Sequence, residues 1–167
     1  LARRPTPLAA IRLLVLDVDG VLTDGRLRYG PTGETEKLFH AHDGPGIKAI
    51  AAAGIKVAVI SGRNSVAVER RCQELGIGEL QQGIADKAAA GRSLAARLGI
   101  KLSDCACVGD DSVDVPLMKI VGLAIAVADA HGDARRAAHR RTRLGGGAGA
   151  VREVCDWLLA ARARAAT

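Results

Sequence analysis

The aliphatic run Leu13-Leu14-Val15-Leu16 stops at Asp17-Val18-Asp19-Gly20, and that break constrains the fold more than any other stretch of the chain. Four consecutive aliphatic residues read as a strand buried on both faces, which a parallel sheet with helical cover provides. Packing gives no reason for two acids at the end of such a strand. Chemistry does, because the carboxyl ends of strands in an open α/β sheet are where sites are built. Acids this close raise each other's proton affinity unless a cation neutralises them. The expected cation is a hard one that prefers oxygen ligands.

Similar short apolar runs recur: Ile11 to Leu16, Val57 to Ile60, Cys105 to Val108 and Leu123 to Val127. Each leads through Gly, Ser or Asp into a helix-like segment, the alternation of βαβ units. Gly54, Gly76 and Gly99 stand where left-handed residues close helices. A helix is expected over Asp86 to Leu98 and a last one from Ala150 to Arg164, with Gly145-Gly146-Gly147 as a flexible lead-in. Arg26 to His40 breaks the alternation and reads as a β-hairpin around Pro31-Thr32-Gly33-Glu34. A hairpin is marginal alone and should pack on something else. The expected fold is α/β, a Rossmann-like three-layer sandwich with a mainly parallel sheet, in one domain over residues 1–167. Its core spans 10–160, the hairpin of 26–40 is an insertion, and 1–9 and 161–167 are expected as mobile tails.

Aromatic residues make up only 2% of the chain, so the core must be aliphatic and there is no platform on which bases could stack. The net charge of +6 is therefore read as suiting small anionic substrates rather than nucleic acid. Much of the excess sits late, from Arg135 to Arg164, and Arg162 and Arg164 read as a solvated helix face. The cysteines Cys72, Cys105, Cys107 and Cys155 form no CxxC pair, and Cys105 and Cys107 read as small buried hydrophobes. No stretch reaches membrane-spanning length, and the start lacks the apolar core of a signal peptide. A reduced, cytoplasmic protein without a membrane partner is expected.

Other strand ends carry polar groups too. After Ile60 come Ser61, Gly62 and Arg63; here Ser61 could donate to a phosphoryl oxygen, or Ser61 or Asn64 could simply cap the next helix. Lys87 falls in the first turn of a helix, a poor place for a cation unless it serves as a counter-charge; the plain alternative is a solvated lysine. After Val108 come Gly109, Asp110, Asp111 and, three residues on, Asp114, acids that repel one another without a cation among them. Parallel strands bring these ends to one edge. An acidic metal site, a hydroxyl and a lysine around one aspartate suit phosphoryl transfer, which needs charge neutralisation and an in-line nucleophile.

In order, Asp17-Val18-Asp19-Gly20-Val21, Ser61, Lys87 and Gly109-Asp110-Asp111-x-x-Asp114 resemble the motifs of the haloacid dehalogenase-like phosphatases. The closer resemblance is to the capless 3-deoxy-D-manno-octulosonate 8-phosphate phosphatases. It extends through Leu22-Thr23-Asp24-Gly25, His42-Asp43-Gly44-x-Gly46-Ile47, Gln82-Gly83, Val127-Ala128-Asp129-Ala130 and Gly149-Ala150-Val151-Arg152-Glu153. The resemblance implies that Asp17 is the nucleophile and Asp19 the acid/base. It implies Mg²⁺ held by Asp17, the backbone carbonyl of Asp19 and Asp110, with Asp111 and Asp114 behind them. Ser61, Gly62 and Lys87 would bind phosphate, and Arg63 the substrate's carboxylate or its phosphate. A phosphatase of a related nonulosonate 9-phosphate is the alternative within the superfamily. A receiver domain fits poorly, because its adjacent acidic pair stands on the first strand and here it comes late.

The spacing leaves no room for a cap domain. An uncapped site on a sheet edge stays wet, which weakens its electrostatics. A second copy of the chain is the expected source of walls, with the hairpin packed between subunits, and the resemblance implies a homotetramer.

Overall fold

The computed structural model describes residues 4–167. In chain order the elements are β1 (Leu13–Leu16), β2 (Arg28–Gly30), β3 (Gly33–Glu36), α1 (Asp43–Ala52), β4 (Lys56–Ile60), α2 (Val66–Leu75) and β5 (Glu79–Gln81). They continue with α3 (Lys87–Arg97), β6 (Cys105–Gly109), α4 (Val115–Met118), β7 (Leu123–Ala126), α5 (Gly132–Ala137), β8 (Arg140–Arg141) and α6 (Ala150–Ala165).

The main sheet runs in the order β5-β4-β1-β6-β7-β8, and every pairing in it is parallel. The aliphatic runs explain the centre: β1 and β7 are buried at every residue, and so is β6. The chain winds from β1 outward to β5, then crosses back and winds outward again from β6 to β8. Right-handed crossovers put the helices of the two halves on opposite faces. Accordingly α1 packs on α2 and α6, whereas α4 packs on α3 and α5. The strand order reverses between β1 and β6, and Asp17 and Asp110 follow those two strands.

Gly54, Gly76 and Gly99 adopt φ of +83°, +72° and +63°, so each closes a helix as its position suggested. All four cysteines are free and buried. No helix among the described residues is long and apolar enough to cross a membrane. The hairpin forms its own two-stranded antiparallel sheet from β2 and β3. Two strands were not legible as apolar runs: β5, which is half-buried, and β8, a pair of exposed arginines.

Of the two segments expected as tails, residues 1–3 lie outside the described residues, and the rest makes defined contacts. Thr6 N–H donates to Gly122 O at 2.9 Å, and its hydroxyl donates to Ser103 O at 2.8 Å. At the other end α6 continues to Ala165. Arg162 does not lie on a solvated face: its guanidinium donates to Ala53 O, past the end of α1, and to Ile11 O at 3.1 Å. It thereby satisfies a helix-terminal carbonyl that has no partner within its own helix. Arg164 is exposed, as expected. Arg140 stacks over the Trp157 ring at 4.7 Å, which gives one late arginine a packing role.

Replacing Arg162 by Met keeps the stem but leaves two carbonyls without a charged donor. The substitution should cost about 2 kcal/mol of stability, read as a lowered urea midpoint with an unchanged slope.

Candidate active site

The loop after β1 is built by one carbonyl. Val18 O accepts from the N–H groups of Val21, Leu22 and Thr23 at 3.1, 2.9 and 3.0 Å. Thr23 Oγ1 accepts from Gly20 N–H at 3.3 Å and Gly25 N–H at 3.2 Å, cross-bracing the turn. Gly20 has φ +83°, and a Cβ there would overlap the Asp110 carboxylate. Glycine is required both for the backbone angle and for the approach of β6's acid.

At the sheet edge Lys87 lies between two acids. Its Nζ is 2.8 Å from Asp17 Oδ1 and 2.6 Å from Asp114 Oδ1, and all three side chains are buried. The other Asp114 oxygen accepts from the N–H groups of Asp110 and Asp111 at 2.9 and 3.2 Å. Burial works to lower the Lys87 pKa, but the charges of Asp17 and Asp114 outweigh it and hold the ammonium above the usual lysine value. Burial, with the Asp114 charge added, raises Asp17 despite Lys87. Burial and then the charges of Asp17 and Asp114 push Asp110 up to about 8.

These acids fit a metal ion. Asp17, Asp110 and Asp114 bring carboxylate oxygens within 4.8 Å of one another. Asp114 has both oxygens engaged by Lys87 and the two amides, so it orients the cluster, while Asp17 and Asp110 remain to ligate. An all-oxygen set with excess negative charge suits a hard divalent cation.

Above the cluster is an open cleft of about 370 Å³ that gathers Asp17, Asp19, Ser61, Gly62, Arg63, Lys87, Asp110 and Asp111. A larger cavity of about 550 Å³ lies elsewhere, beside Arg143, Arg152 and Trp157, and holds none of these groups. Ser61 is buried and accepts from Arg63 N–H at 3.3 Å, so it caps no helix; Ser65 precedes α2 instead. Arg63 is half-exposed, with Nε 3.8 Å from Asp19 Oδ2 and Nη1 donating to Tyr29 Oη at 3.0 Å. Asp111 caps the turn that follows β6 and is exposed, so it stands apart from the buried acids.

The site also holds residues the sequence reading did not single out. Lys37, just past β3, places Nζ 2.6 Å from Asp19 Oδ1 and 3.0 Å from Glu34 Oε1. The hairpin therefore reaches back to its own chain's acid. The available signal was a lone cation at the exit of the hairpin, three residues after Glu34.

The outer stretches of the resemblance have structural work. Asp43 Oδ1 accepts from Arg152 N–H at 2.8 Å, Asp129 Oδ1 from Gly146 N–H at 2.9 Å, and Glu153 from the amides of Arg143 and Leu144. Gly145-Gly146-Gly147 is accordingly not a flexible lead-in. Gly147 N–H donates to Val21 O at 3.1 Å, and a Cβ on Gly146 would overlap Gly20 O. The glycines let the tail close against the acidic loop.

Removing Lys87 leaves buried acids facing one another. Lys87→Met should lower stability by about 3 kcal/mol in metal-free buffer, and millimolar Mg²⁺ should restore part of it. Thermal melts with and without the cation check both halves.

Residues 76–144 match the family model of haloacid dehalogenase-like hydrolases. A relative from Escherichia coli (strain K12), named 3-deoxy-D-manno-octulosonate 8-phosphate phosphatase, is 49% identical over 154 residues, 92% of this chain and 82% of its own. The crystal structure of the Moraxella catarrhalis enzyme of that name, in complex with a magnesium ion, a phosphate ion and a KDO molecule, matches with a TM-score of 0.91 at 40% identity, covering 95% of this chain and 91% of that one. The cobalt-bound enzyme from Haemophilus influenzae matches with a TM-score of 0.92 at 42% identity, covering 94% and 92%. With that identity over nearly its whole length, the chain belongs to the 3-deoxy-D-manno-octulosonate 8-phosphate phosphatases, a family of haloacid dehalogenase-like hydrolases.

Proposed function

We propose that this chain, as a single hydrolase domain, is a Mg²⁺-dependent phosphatase that converts 3-deoxy-D-manno-octulosonate 8-phosphate to the free sugar acid and inorganic phosphate. The reading places it in lipopolysaccharide precursor biosynthesis, in the cytoplasm. The observation that carries it is the convergence of Asp17, Asp110 and Lys87 where the strand order reverses, beneath a cleft open to small anions.

Asp17, Asp110 and the backbone carbonyl of Asp19 would hold the Mg²⁺, which supplies charge neutralisation for the phosphoryl oxygens. Lys87 pairs with Asp17 Oδ1 and so holds in place the carboxylate that attacks phosphorus. As the Asp17–phosphorus bond forms, the bond to the sugar oxygen breaks, and that oxygen takes the proton of Asp19. The Asp19 carboxylate then removes a proton from water, whose oxygen bonds to phosphorus as the bond to Asp17 breaks. Phosphate leaves, Asp17 is restored, and Asp19 again carries a proton. Ser61, Gly62 and Lys87 bind the phosphoryl oxygens, and Arg63 faces the substrate's carboxylate. Asp114 and, at a greater distance, Asp111 orient the cluster.

We further infer a homotetramer. The hairpin exposes 61% of Tyr29 and 67% of Leu38, and Leu27 beside them is also exposed. An apolar face of this kind suits a second copy of the chain, which would complete the wall of the cleft.

Asp17→Asn should abolish turnover while leaving the circular dichroism spectrum unchanged. A panel of sugar-acid phosphates with Mg²⁺, assayed by phosphate release, should favour the octulosonate; equal rates across the panel would defeat that choice. In sedimentation the parent should run as a tetramer and Leu38→Glu as smaller species.

A further inference from the structure

We propose that Lys37 is a positioning residue for Asp19, tying the aim of that carboxylate to the seat of the hairpin. The inference rests on the acid/base role just assigned to Asp19.

Lys37 is a lysine with only 2% of its side chain exposed. Burying an ammonium is costly and requires partners. It has two: Asp19 Oδ1 at 2.6 Å and Glu34 Oε1 at 3.0 Å. The hairpin does not join the main sheet, so this bridge is a polar tie between it and the loop after β1. The second tie runs through Arg63, which faces Asp19 Oδ2 and donates to Tyr29 Oη. Each oxygen of Asp19 thus faces a cation whose other partner lies in the hairpin.

The two ties are unequal. The Lys37 pair is short and its ammonium is buried. Arg63 Nε is 3.8 Å from its oxygen and 45% of its side chain is exposed, at the lip of the cleft. Lys37 therefore pins one oxygen and leaves the other to reach a leaving group in the cleft. An ammonium has donors and no acceptor, so Lys37 can take no proton from water and cannot replace Asp19 as the base. Freeing the pinned oxygen lets the carboxylate swing, and misplacement by about 1 Å can cost on the order of a hundredfold in rate.

The test compares leaving groups. Lys37→Met keeps the stem and removes the ammonium. An alkyl phosphate needs a proton delivered to its leaving oxygen, whereas p-nitrophenyl phosphate departs without one, and kcat/KM reports the steps up to that departure. On the octulosonate phosphate, or on any alkyl phosphate the parent hydrolyses, kcat/KM should fall roughly ten- to a hundredfold. The loss should lie in kcat, with KM within about threefold of the parent. On p-nitrophenyl phosphate kcat/KM should stay within about threefold. Lys37→Arg should recover part of the loss, and Glu34→Gln should show a smaller loss with the same bias. Equal losses on both substrates, a loss carried by KM, or no loss overturns the proposal. If Lys37→Met fails to fold by circular dichroism, Lys37→Arg and Glu34→Gln carry the same comparison, and equal losses in them overturn it. A parent that hydrolyses simple alkyl phosphates but not the octulosonate phosphate overturns the substrate reading and leaves the Lys37 comparison standing.

Discussion

The structure depends on one buried ammonium. Lys87 touches Asp17 from the end of β1 and Asp114 from the turn after β6, so it joins the two strands at which the sheet reverses. Its place in the first turn of α3 runs against the helix dipole. Asp86, which caps that helix by accepting from Ala89 N–H at 2.9 Å, and the two buried acids offset the conflict. A cluster of this kind is poor value for stability alone, since apolar residues of equal volume usually do as well. Its worth is electrostatic: buried beneath the cleft, these charges act more strongly than they would in water.

The architecture was legible wherever burial writes itself as an uninterrupted aliphatic run. β1, β4, β6 and β7 were visible for that reason, and the polar ends of β1, β4 and β6 pointed to one edge of the sheet. β5 and β8 carry no such run, because they lie at the sheet margins and have one neighbour each. The core site residues were legible because Asp17, Lys87 and Asp110 stand where local folding rules disfavour them. Lys37 was not, because a lysine after a hairpin obeys every local rule. Only the return of the hairpin over Asp19 gives it meaning, and such returns are not periodic. Arg162 failed in the same way, since a C-terminal arginine looks solvated until the chain's start is laid beside it.

Asp43, Asp129 and Glu153 show a second division of labour. Each of these acids places a carboxylate oxygen on backbone amides of the tail or of α6. Asp129 holds the tail that closes on the loop of Gly20 and Val21, Asp43 ties α1 to α6 and Glu153 ties α6 to the tail, and none of the three lines the cleft. Resemblance in these stretches reports a shared scaffold as much as a shared substrate.

The packing of Gly146 and Gly147 on the loop of Gly20 and Val21 has a consequence for synthesis. The acids stand at Asp17 and Asp19, but the backbone that clamps their loop, at Gly146 and Gly147, comes well over a hundred residues later. Asp43 likewise waits for Arg152, 109 residues later. Contacts this distant in sequence close slowly, and domains emerge from the ribosome with their first residues first. A nascent or truncated chain therefore carries every core catalytic side chain and still lacks the finished loop. Competence waits for the Gly145-Gly146-Gly147 stretch to be made and to close on that loop.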